Sequence, residues 1–560
     1  MIAIGLDGCA TTPPAPAGEA APMEKAAPEP APRAEIPPQL MYDLLSADIA
    51  WQRGELEIAA KQYKKAAAAS NDPGILKQAT TISAMTKDYP GAIELAKRWI
   101  SAAPEADEPR QALAMLLINQ GEIQEPTRLL NEILGKQGGG NFMEVAALLG
   151  RQSNQDTAMQ VMDGLIAGHS DNPDALFAYA HFAARNGKID AALEKLDAAM
   201  RKKKNWPDAV VMRARLMQMR NENAQAADYL KSQLKGPLST NYDIRLTYAR
   251  MLMDLRQIEE AREQFILLDK QHANIPDVIY AIGLLDLQTN QMPEAEVQFT
   301  RLIEMGERRL EASYHLGLIS EFKKDYDAAI KWFSAVTGGQ FHHYSHLKVA
   351  SLLSWQGKAD AALGVLHELK SGSPQEKQRV YVLEGEILYR AKRYQASMDV
   401  HNRALQEMPN DTGLLYGRAM AAERLNLLDQ AEKDLADILS REPENVQALN
   451  GLGYTLADRT NRFEEAHTYV KRALDLSPDD PAIIDSMGWV LYRMGKYDES
   501  IQHIQRAYDL LKDPEVAAHL GEVLWSSGQH DKALQVWRDA LKQDPNDEIL
   551  VNTMKRFGQE

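Results

Sequence analysis

The sequence predicts an all-α fold built from stacked helical hairpins, and a repeated pattern near the C-terminus carries this prediction. Between Val446 and Pro545 the same arrangement occurs three times, with a period near 34 residues. Early in each copy a large apolar residue precedes glycine, at Leu452-Gly453, Met487-Gly488 and Leu520-Gly521. A small residue occurs at a matching place in the second half of each copy, at Ala466, Ser500 and Ala533.

These features have physical reasons in a helical hairpin. Glycine is expected where two antiparallel helices cross, because a larger side chain would push the helices apart. Proline cannot continue a helix, so Pro478 and Pro545 are expected to end the second helix before the next repeat begins. The pattern resembles the tetratricopeptide repeat (TPR), which implies a TPR superhelical solenoid.

Length and composition limit the classes of function. A solenoid grows by adding repeats, so 560 residues do not require several separate cores. The content of 45% hydrophobic and 25% charged residues is ordinary for a soluble helical protein. The formal net charge of −16 argues against general nucleic-acid binding, because that requires a basic face. No internal run of about 18 apolar residues exists, so no span is predicted after the N-terminus.

Five segments follow from the spacing of the repeats. We interpret the chain as a truncated signal and lipobox-like segment (1–9), a Pro/Ala-rich disordered tether (10–39), degenerate N-terminal TPR-like repeats (40–172), a regular TPR array (173–546) and a capping helix with a tail (547–560). About fifteen helical hairpins are expected from Leu40 onward. The glycines from Gly138 to Gly140 suggest a bend or flexible joint. No segment remains for a catalytic domain.

Cys9 is the only cysteine, which excludes a disulfide framework and a cysteine-based zinc site. A lone cysteine is ordinarily a small core residue or an incidental thiol. This one follows Leu6-Asp7-Gly8, and the segment resembles a bacterial lipobox, from which Asp7 departs. The resemblance implies lipidation of Cys9 and, because Ala10 follows it, a periplasmic protein anchored to the outer membrane. A fully extended tether would reach about 90 Å.

Two other clusters are candidate sites. His342-His343 and His346 could place two imidazoles on the start of a helix, a possible metal spacing. A polar junction with exposed histidines is the simpler interpretation, so no metal or cofactor is predicted. The basic run from Arg201 to Lys204 is expected to be a solvated connection, the alternative being contact with an anionic lipid or partner.

The candidate binding surface lies on the first helix of each C-terminal repeat. Residues of this helix that face the concave side of a TPR stack are not needed for packing between helices. Repeat position selects the partner-binding residues Tyr389, Arg390, Tyr416, Arg424, Asn450, Tyr454, Asp485, Trp489, Tyr492, Arg493 and Trp525. Tyr, Trp and Arg dominate binding hot spots, so we expect a protein-binding groove. The alternative is that some of these aromatics extend the core.

The sequence of the C-terminal third is more specific than that of a generic TPR. The segments Leu449 to Thr460, Asp485 to Val490 and Ala517 to Trp525 are similar to those of TPR outer-membrane lipoproteins of Gram-negative bacteria. The similarity also covers the lipobox-like start and Tyr42-Asp43-Leu44-Leu45, and it is strongest over residues 440–545. The best-understood members are lipoprotein adaptors that bind and activate a periplasmic carboxyl-terminal processing protease and present cell-wall hydrolases to it.

This resemblance implies a non-enzymatic scaffold that brings protease and substrate together. A first alternative is a TPR scaffold for envelope assembly or polysaccharide export, which would use the same groove. A second is an enzyme such as a TPR-fused glycosyltransferase, which the absence of a non-repeat segment disfavours. The Lys and Asn residues of the two-carboxylate clamp in chaperone-binding TPR domains do not assemble here, so binding of a chaperone's acidic C-terminus is not expected.

Overall fold

The structure is a computed structural model that describes residues 36–135, 141–369, 372–543 and 545–559. All regular secondary structure in these ranges is helical, with 31 α-helices. The chain forms two compact units, Met1–Ile244 and Arg245–Glu560, and their boundary falls within the thirteenth helix. Cys9, nearly all of the expected tether and the joint at Gly138 to Gly140 lie outside the described residues.

The described part of the first unit contains twelve helices before the boundary. They are α1 (Pro38–Gln52), α2 (Leu56–Ala69), α3 (Pro73–Met85), α4 (Tyr89–Ala102), α5 (Glu108–Asn119), α6 (Gln124–Leu134), α7 (Phe142–Leu149), α8 (Gln155–Ala167), α9 (Pro173–Arg185), α10 (Ile189–Lys202), α11 (Pro207–Met219) and α12 (Asn223–Gln233).

The boundary helix and the helices of the second unit come next along the chain. They are α13 (Tyr242–Asp254), α14 (Ile258–Gln271), α15 (Pro276–Gln288), α16 (Met292–Met305), α17 (Arg309–Phe322), α18 (Tyr326–Ser334), α19 (His342–Trp355), α20 (Ala359–His367), α21 (Pro374–Arg390), α22 (Tyr394–Glu407), α23 (Thr412–Arg424), α24 (Leu428–Arg441), α25 (Val446–Arg459), α26 (Phe463–Leu476), α27 (Pro481–Arg493), α28 (Tyr497–Leu510), α29 (Pro514–Ser526), α30 (His530–Leu541) and α31 (Glu548–Arg556).

Odd-numbered and even-numbered helices alternate as the first and second helices of fifteen hairpins, and α31 follows the last hairpin. In the C-terminal repeats α25 packs against α26 and α27, while α26 also packs against α27, so each hairpin docks on the next. The final helix α31 packs against α29 and α30, and the Asp547 side chain caps its start by accepting a hydrogen bond from the Leu550 N–H at 2.9 Å. The predicted all-α array of about fifteen hairpins with a C-terminal helix is therefore confirmed.

The helix starts follow ordinary capping chemistry. At α27 the Asp480 carboxylate accepts hydrogen bonds from the Ala482 and Ile483 N–H groups, and Pro481 occupies the first helical position. Proline suits this position because the N–H that it lacks would have no partner inside the helix. For the same reason α1 begins at Pro38, two residues before Leu40, where the sequence placed the first periodic residue.

The turn between the two helices of a hairpin requires a left-handed backbone. Gly495 and Gly528, which follow α27 and α29, have φ angles of 77° and 84°. Residues with a Cβ are disfavoured at such angles, so glycine relieves strain in these turns. The repeat pattern at these two positions thus reflects backbone geometry rather than packing.

One small residue on the first helix and one large residue on the second, here called the crossing pair, meet in each hairpin. The two positions are 16 residues apart in fourteen hairpins and 17 in the hairpin of α25 and α26. The crossing pairs, all buried, are Ala47 with Tyr63, Ala79 with Leu95, Ala114 with Leu130, Ala146 with Met162, Ala180 with Leu196, Ala214 with Leu230, Ala249 with Phe265, Gly283 with Phe299, Gly317 with Phe333, Ala350 with Leu366, Gly385 with His401, Ala419 with Leu435, Gly453 with Val470, Gly488 with Ile504 and Gly521 with Trp537.

The six glycine crossing pairs all lie in the second unit, and they leave no room for a methyl group. A Cβ on Gly488 would lie 2.3 Å from Cγ1 of Ile504, and a Cβ on Gly521 would lie 2.0 Å from Nε1 of Trp537. Carbon atoms prefer separations of about 3.5–4.0 Å, so even alanine would force these helices apart. The predicted role of glycine at the helix crossing is therefore confirmed at Gly488 and Gly521.

We expect Gly488→Ala to destabilise its hairpin by about 1–3 kcal/mol through overpacking against Ile504. The double variant Gly488→Ala/Ile504→Leu should recover part of this loss, because it recreates the Ala with Leu pair of Ala419 and Leu435. Native-state hydrogen exchange measures the local free energy of opening. The loss should be concentrated in the C-terminal repeats, because repeats couple mainly to their neighbours.

Gly364→Ala is the matched control for this prediction. Gly364 lies within α20, and a Cβ there would have no atom within 4 Å. Alanine favours a helix over glycine by about 1 kcal/mol, so this substitution should be neutral or stabilising. Equal destabilisation by Gly364→Ala and Gly488→Ala, or an equal loss of protection around Leu113, would contradict the crossing-pair explanation.

Candidate functional site

The predicted partner-binding residues all lie on odd-numbered helices of the second unit. Tyr389 and Arg390 end α21, and Tyr416 and Arg424 lie on α23. Those on the later helices are Asn450 and Tyr454 on α25, Asp485, Trp489, Tyr492 and Arg493 on α27, and Trp525 on α29. The structure brings them into two groups, an open one around α21 and α23 and a largely buried one around α27.

The buried group centres on an ion pair between Asp485 and His519. Oδ2 of Asp485 lies 2.8 Å from Nδ1 of His519, and the indole of Trp489 stacks on this imidazole at 4.3 Å between ring centroids. Burial lowers the pKa of His519, but the carboxylates of Asp485, Glu515 and Glu522 together outweigh this effect, so the pKa of His519 is raised. The group thus joins α27 to α29 by charge and by stacking.

Two residues of the predicted groove are therefore not open to a partner. Trp489 and Asp485 are only 6% and 7% exposed. Trp489 also donates a hydrogen bond from Nε1 to Oδ1 of Asp458 on α25, at 3.2 Å. The expectation that Trp489 presents an open face is wrong, because His519 of the next repeat covers its ring. The burial of this residue is in line with the alternative that some of these aromatics extend the core.

The remaining predicted residues of the C-terminal repeats are partly exposed, and several bridge adjacent repeats. Tyr492 on α27 lies within hydrogen-bond distance of Ser526 on α29, with 3.1 Å between the two hydroxyl oxygens. Arg493 donates a hydrogen bond to the backbone oxygen of Asp458 at 2.8 Å. Asn450, Tyr454 and Trp525 are half-buried. These side chains stabilise the stack and keep part of their surface accessible.

The open group forms a pocket between α21, α22 and α23. This cavity has a volume of about 490 Å³ and is lined by Val382, Gly385, Glu386, Tyr389, Arg390, Ser397, His401, Gly413, Tyr416, Gly417 and Met420. Tyr389, Arg390 and Tyr416 were predicted from repeat position, and the structure places all three in this pocket. We call it the α21–α23 pocket. Its size falls in the range of about 300–1,000 Å³ that is usual for ligand sites.

His401, in the wall of this pocket, was missed by the sequence analysis. It is the large member of the crossing pair with Gly385, at a position that is otherwise apolar. Sequence inspection could have found it from the 16-residue spacing, because a histidine at a buried apolar position requires an explanation.

Charged and hydroxyl groups surround the mouth of the pocket. Arg424 donates a hydrogen bond from Nε to the Tyr389 hydroxyl at 2.9 Å, and the Arg390 guanidinium lies 5.5 Å from the centroid of the Trp355 ring. Burial raises the pKa values of Glu386 and of Tyr416. The mouth therefore combines two arginines, aromatic rings and one carboxylate.

Accessible side chains end four successive odd-numbered helices, and we call them the helix-end row. It consists of the last residues of α17, α19, α21 and α23, which are Phe322, Trp355, Arg390 and Arg424. Phe322 and Trp355 are each 67% exposed, although large aromatic side chains are usually buried. The predicted set contained Arg390 and Arg424 but missed both aromatics, because their repeats were not included among the C-terminal copies.

The weaker candidate clusters are engaged locally. Nδ1 of His342 lies 2.9 Å from the Val336 backbone oxygen, and Nδ1 of His346 lies 3.0 Å from the His342 backbone oxygen. Within the described residues no group of three or more His, Cys, Asp or Glu side chains could hold a metal ion. In the basic run, Lys202 pairs with Asp171 at 2.7 Å and Lys203 lies over the Trp206 ring.

No helix in the described part of the chain combines the length and the apolar character needed to cross a bilayer.

Comparison with known proteins gives consistent similarities. The sequence matches the tetratricopeptide repeat family over residues 280–340, 416–481 and 486–548. It is 31% identical over 486 residues to the TPR repeat-containing protein PA4667 of Pseudomonas aeruginosa, which covers 86% of this chain and 82% of that protein. It is 23% identical to the cellulose synthase operon protein C of Pseudomonas fluorescens, over 64% of this chain but only 33% of that protein.

Among solved structures, the thermophilic TPR protein TTC0263 of Thermus thermophilus is 26% identical and matches 31% of this chain and 96% of its own, with a TM-score of 0.30. TPR proteins generally act as scaffolds for protein–protein interactions, and their repeat fold is typically non-catalytic. The repeated hairpins and the similarity along most of the chain show that it belongs to the family of TPR repeat-containing proteins.

Proposed function

We propose that this chain is a lipoprotein adaptor that binds and activates a periplasmic carboxyl-terminal processing protease and presents substrates such as cell-wall hydrolases to it. The observation that carries the scaffold part of the proposal is the helix-end row beside the α21–α23 pocket. The protease as partner rests on the resemblance of residues 440–545 to TPR outer-membrane lipoproteins.

The helix-end row has the chemistry of a protein-binding surface. Aromatic and arginine side chains provide most hot spots. Aromatic side chains bury a large area and lose little conformational freedom on binding. Phe322 and Trp355 are exposed, while Arg390 lies against Trp355. A partner that covers this row would remove apolar surface from water and satisfy the arginines with carboxylates or backbone oxygens.

The proposed mechanism is a raised effective concentration. An adaptor that holds protease and substrate at the same time converts their encounter into a local event, and the gain depends on geometry rather than on new contacts at the scissile bond. Conformational activation of the protease by the adaptor would add to this gain, as a coupling free energy between two binding events.

The second candidate function is a scaffold for envelope assembly or polysaccharide export. The observation that favours it is the similarity to a protein named for a cellulose synthase operon, at 23% identity. In that role the helix-end row would bind an assembly or export component instead of a protease. A pull-down from envelope extracts discriminates the two functions by the partner that is recovered.

We expect Trp355→Ala/Arg390→Ala to weaken protease binding by about 2 kcal/mol or more, about thirtyfold in affinity, because the pair forms the centre of the row. Both side chains are accessible at the surface, so the stability should change by no more than about 0.5 kcal/mol per substitution. Binding is measured by titration calorimetry, and substrate loss is followed with protease, hydrolase and adaptor combined.

Val297→Ala is the matched control, since Val297 is an exposed apolar residue on the second-helix side, in α16. It should leave binding unchanged. If the double variant binds as the wild type does, the row is not the protease site. If the folded wild-type chain neither binds the protease nor accelerates substrate loss, the adaptor function is wrong and the export scaffold takes its place.

We also expect Cys9→Ala to release the protein from the membrane fraction when the gene is expressed in a Gram-negative host with its native upstream region. Without the thiol no lipid can be attached at the lipobox-like segment. Fractionation followed by immunoblotting measures the distribution, and the melting temperature of the purified variant should equal that of the wild type. Unchanged membrane association of Cys9→Ala would exclude this segment as the anchor.

A further inference from the structure

The α21–α23 pocket is built around one buried imidazole. His401 on α22 is only 2% exposed, and its ring lies between Gly385 of α21 and Gly417 of α23. A Cβ on Gly385 would lie 2.2 Å from Nε2 of this ring, and a Cβ on Gly417 would lie 2.4 Å from its Cε1. Both walls beside the ring are therefore bare backbone.

The preceding repeats differ from this one on the side of α23. In the pairs Gly283 with Phe299 and Gly317 with Phe333 a phenyl ring covers the glycine, as the imidazole of His401 covers Gly385. The position of Gly417, two residues before the crossing residue, is occupied in the three preceding odd-numbered helices by His315, Lys348 and Leu383. Glycine at this position and at Gly413, one helical turn earlier, leaves the cavity of about 490 Å³ open.

One nitrogen of the imidazole in the pocket lacks a hydrogen-bond partner. Nδ1 of His401 is buried and forms no hydrogen bond with any described residue. Burial lowers the pKa of His401 to about 4, with a further contribution from the Arg418 charge, so the ring is neutral at pH 7. A neutral imidazole offers one donor and one acceptor, and a buried polar atom without a hydrogen bond costs about 1–3 kcal/mol.

The walls of the pocket favour a flat apolar group. Tyr389 and Tyr416 present aromatic rings, and the Met420 thioether makes favourable contacts with aromatic rings. Arg390 at the mouth belongs both to the pocket and to the helix-end row, so a chain bound along the row would pass the opening. An aliphatic side chain would leave the imidazole unpaired, and a charged one would lose its hydration.

We propose that the α21–α23 pocket is a receptor for a tyrosine side chain of an extended partner segment, with the phenol hydroxyl hydrogen-bonded to His401. This assignment deepens the proposed scaffold function and rests on it, since it names the side chain by which a partner is held. The phenol supplies an apolar ring for the walls and a polar tip that both donates and accepts a hydrogen bond.

Titration calorimetry with the full chain and three acetylated, amidated tripeptides tests this assignment. The peptides carry Tyr, Phe or Leu between two glycines. Wild-type protein should bind the Tyr peptide about tenfold more tightly than the Phe peptide, the value of one hydrogen bond to a buried group, and the Leu peptide most weakly. Addition of the Tyr peptide should also shift the side-chain ¹⁵N resonances of His401.

His401→Phe removes the ring nitrogens and recreates the Gly with Phe pair of the neighbouring hairpins. It should abolish the preference for Tyr over Phe without lowering the melting temperature. His315→Phe is the matched control, because His315 is also a buried histidine but does not line this pocket. This variant should keep the tenfold preference.

Three outcomes would overturn the assignment. They are equal affinity for the Tyr and Phe peptides, an unchanged preference in His401→Phe, and ¹⁵N resonances of His401 that do not respond to the Tyr peptide. The peptide titration does not depend on any protease. Tyr-peptide binding by a chain that fails to bind the protease would therefore refute the adaptor function and leave the pocket assignment standing.

Discussion

The structure depends on the contact between one small and one large residue in each hairpin. A helix pair of this length has no core of its own, so the crossing pair limits how closely its two helices approach. Where that pair is Gly521 with Trp537, the indole occupies the volume that a methyl group would need. The same contact fixes which faces of the two helices remain outside, and it thereby positions every other side chain of the repeat.

The fold could be predicted because the repeated small residues in the sequence are the ones that the helix crossings require. Gly488 is recognisable in the sequence because its contact with Ile504 lies within one hairpin, at a fixed separation along the chain. Trp489 could not be assigned in the same way. Its burial depends on His519, a residue of the next repeat. The repeat period does not determine the geometry between adjacent repeats.

The candidate site was predictable in part, for a similar reason. Repeat position identified Tyr389, Arg390 and Tyr416, which share the pocket. His401 lies on a second helix, where the sequence analysis expected only core residues, and the cavity exists because α21 and α23 both contribute glycine there. The cavity between these three helices exists because glycines leave space there. A search for Tyr, Trp and Arg in the sequence does not find such a space.

The uneven use of glycine and alanine at the crossings has a consequence for the unfolded chain. All six crossing pairs of the first unit before α13 use alanine, whereas six of the later hairpins use glycine. Glycine costs a helix about 1 kcal/mol relative to alanine, because more backbone conformations must be given up. Isolated α27 or α29 should therefore hold less residual helix in the denatured state than isolated α9 or α11, a difference that circular dichroism of the separate peptides would measure. Helices such as α27 and α29 become stable mainly by docking, so order in the glycine repeats depends on the neighbouring repeats more than on local propensity.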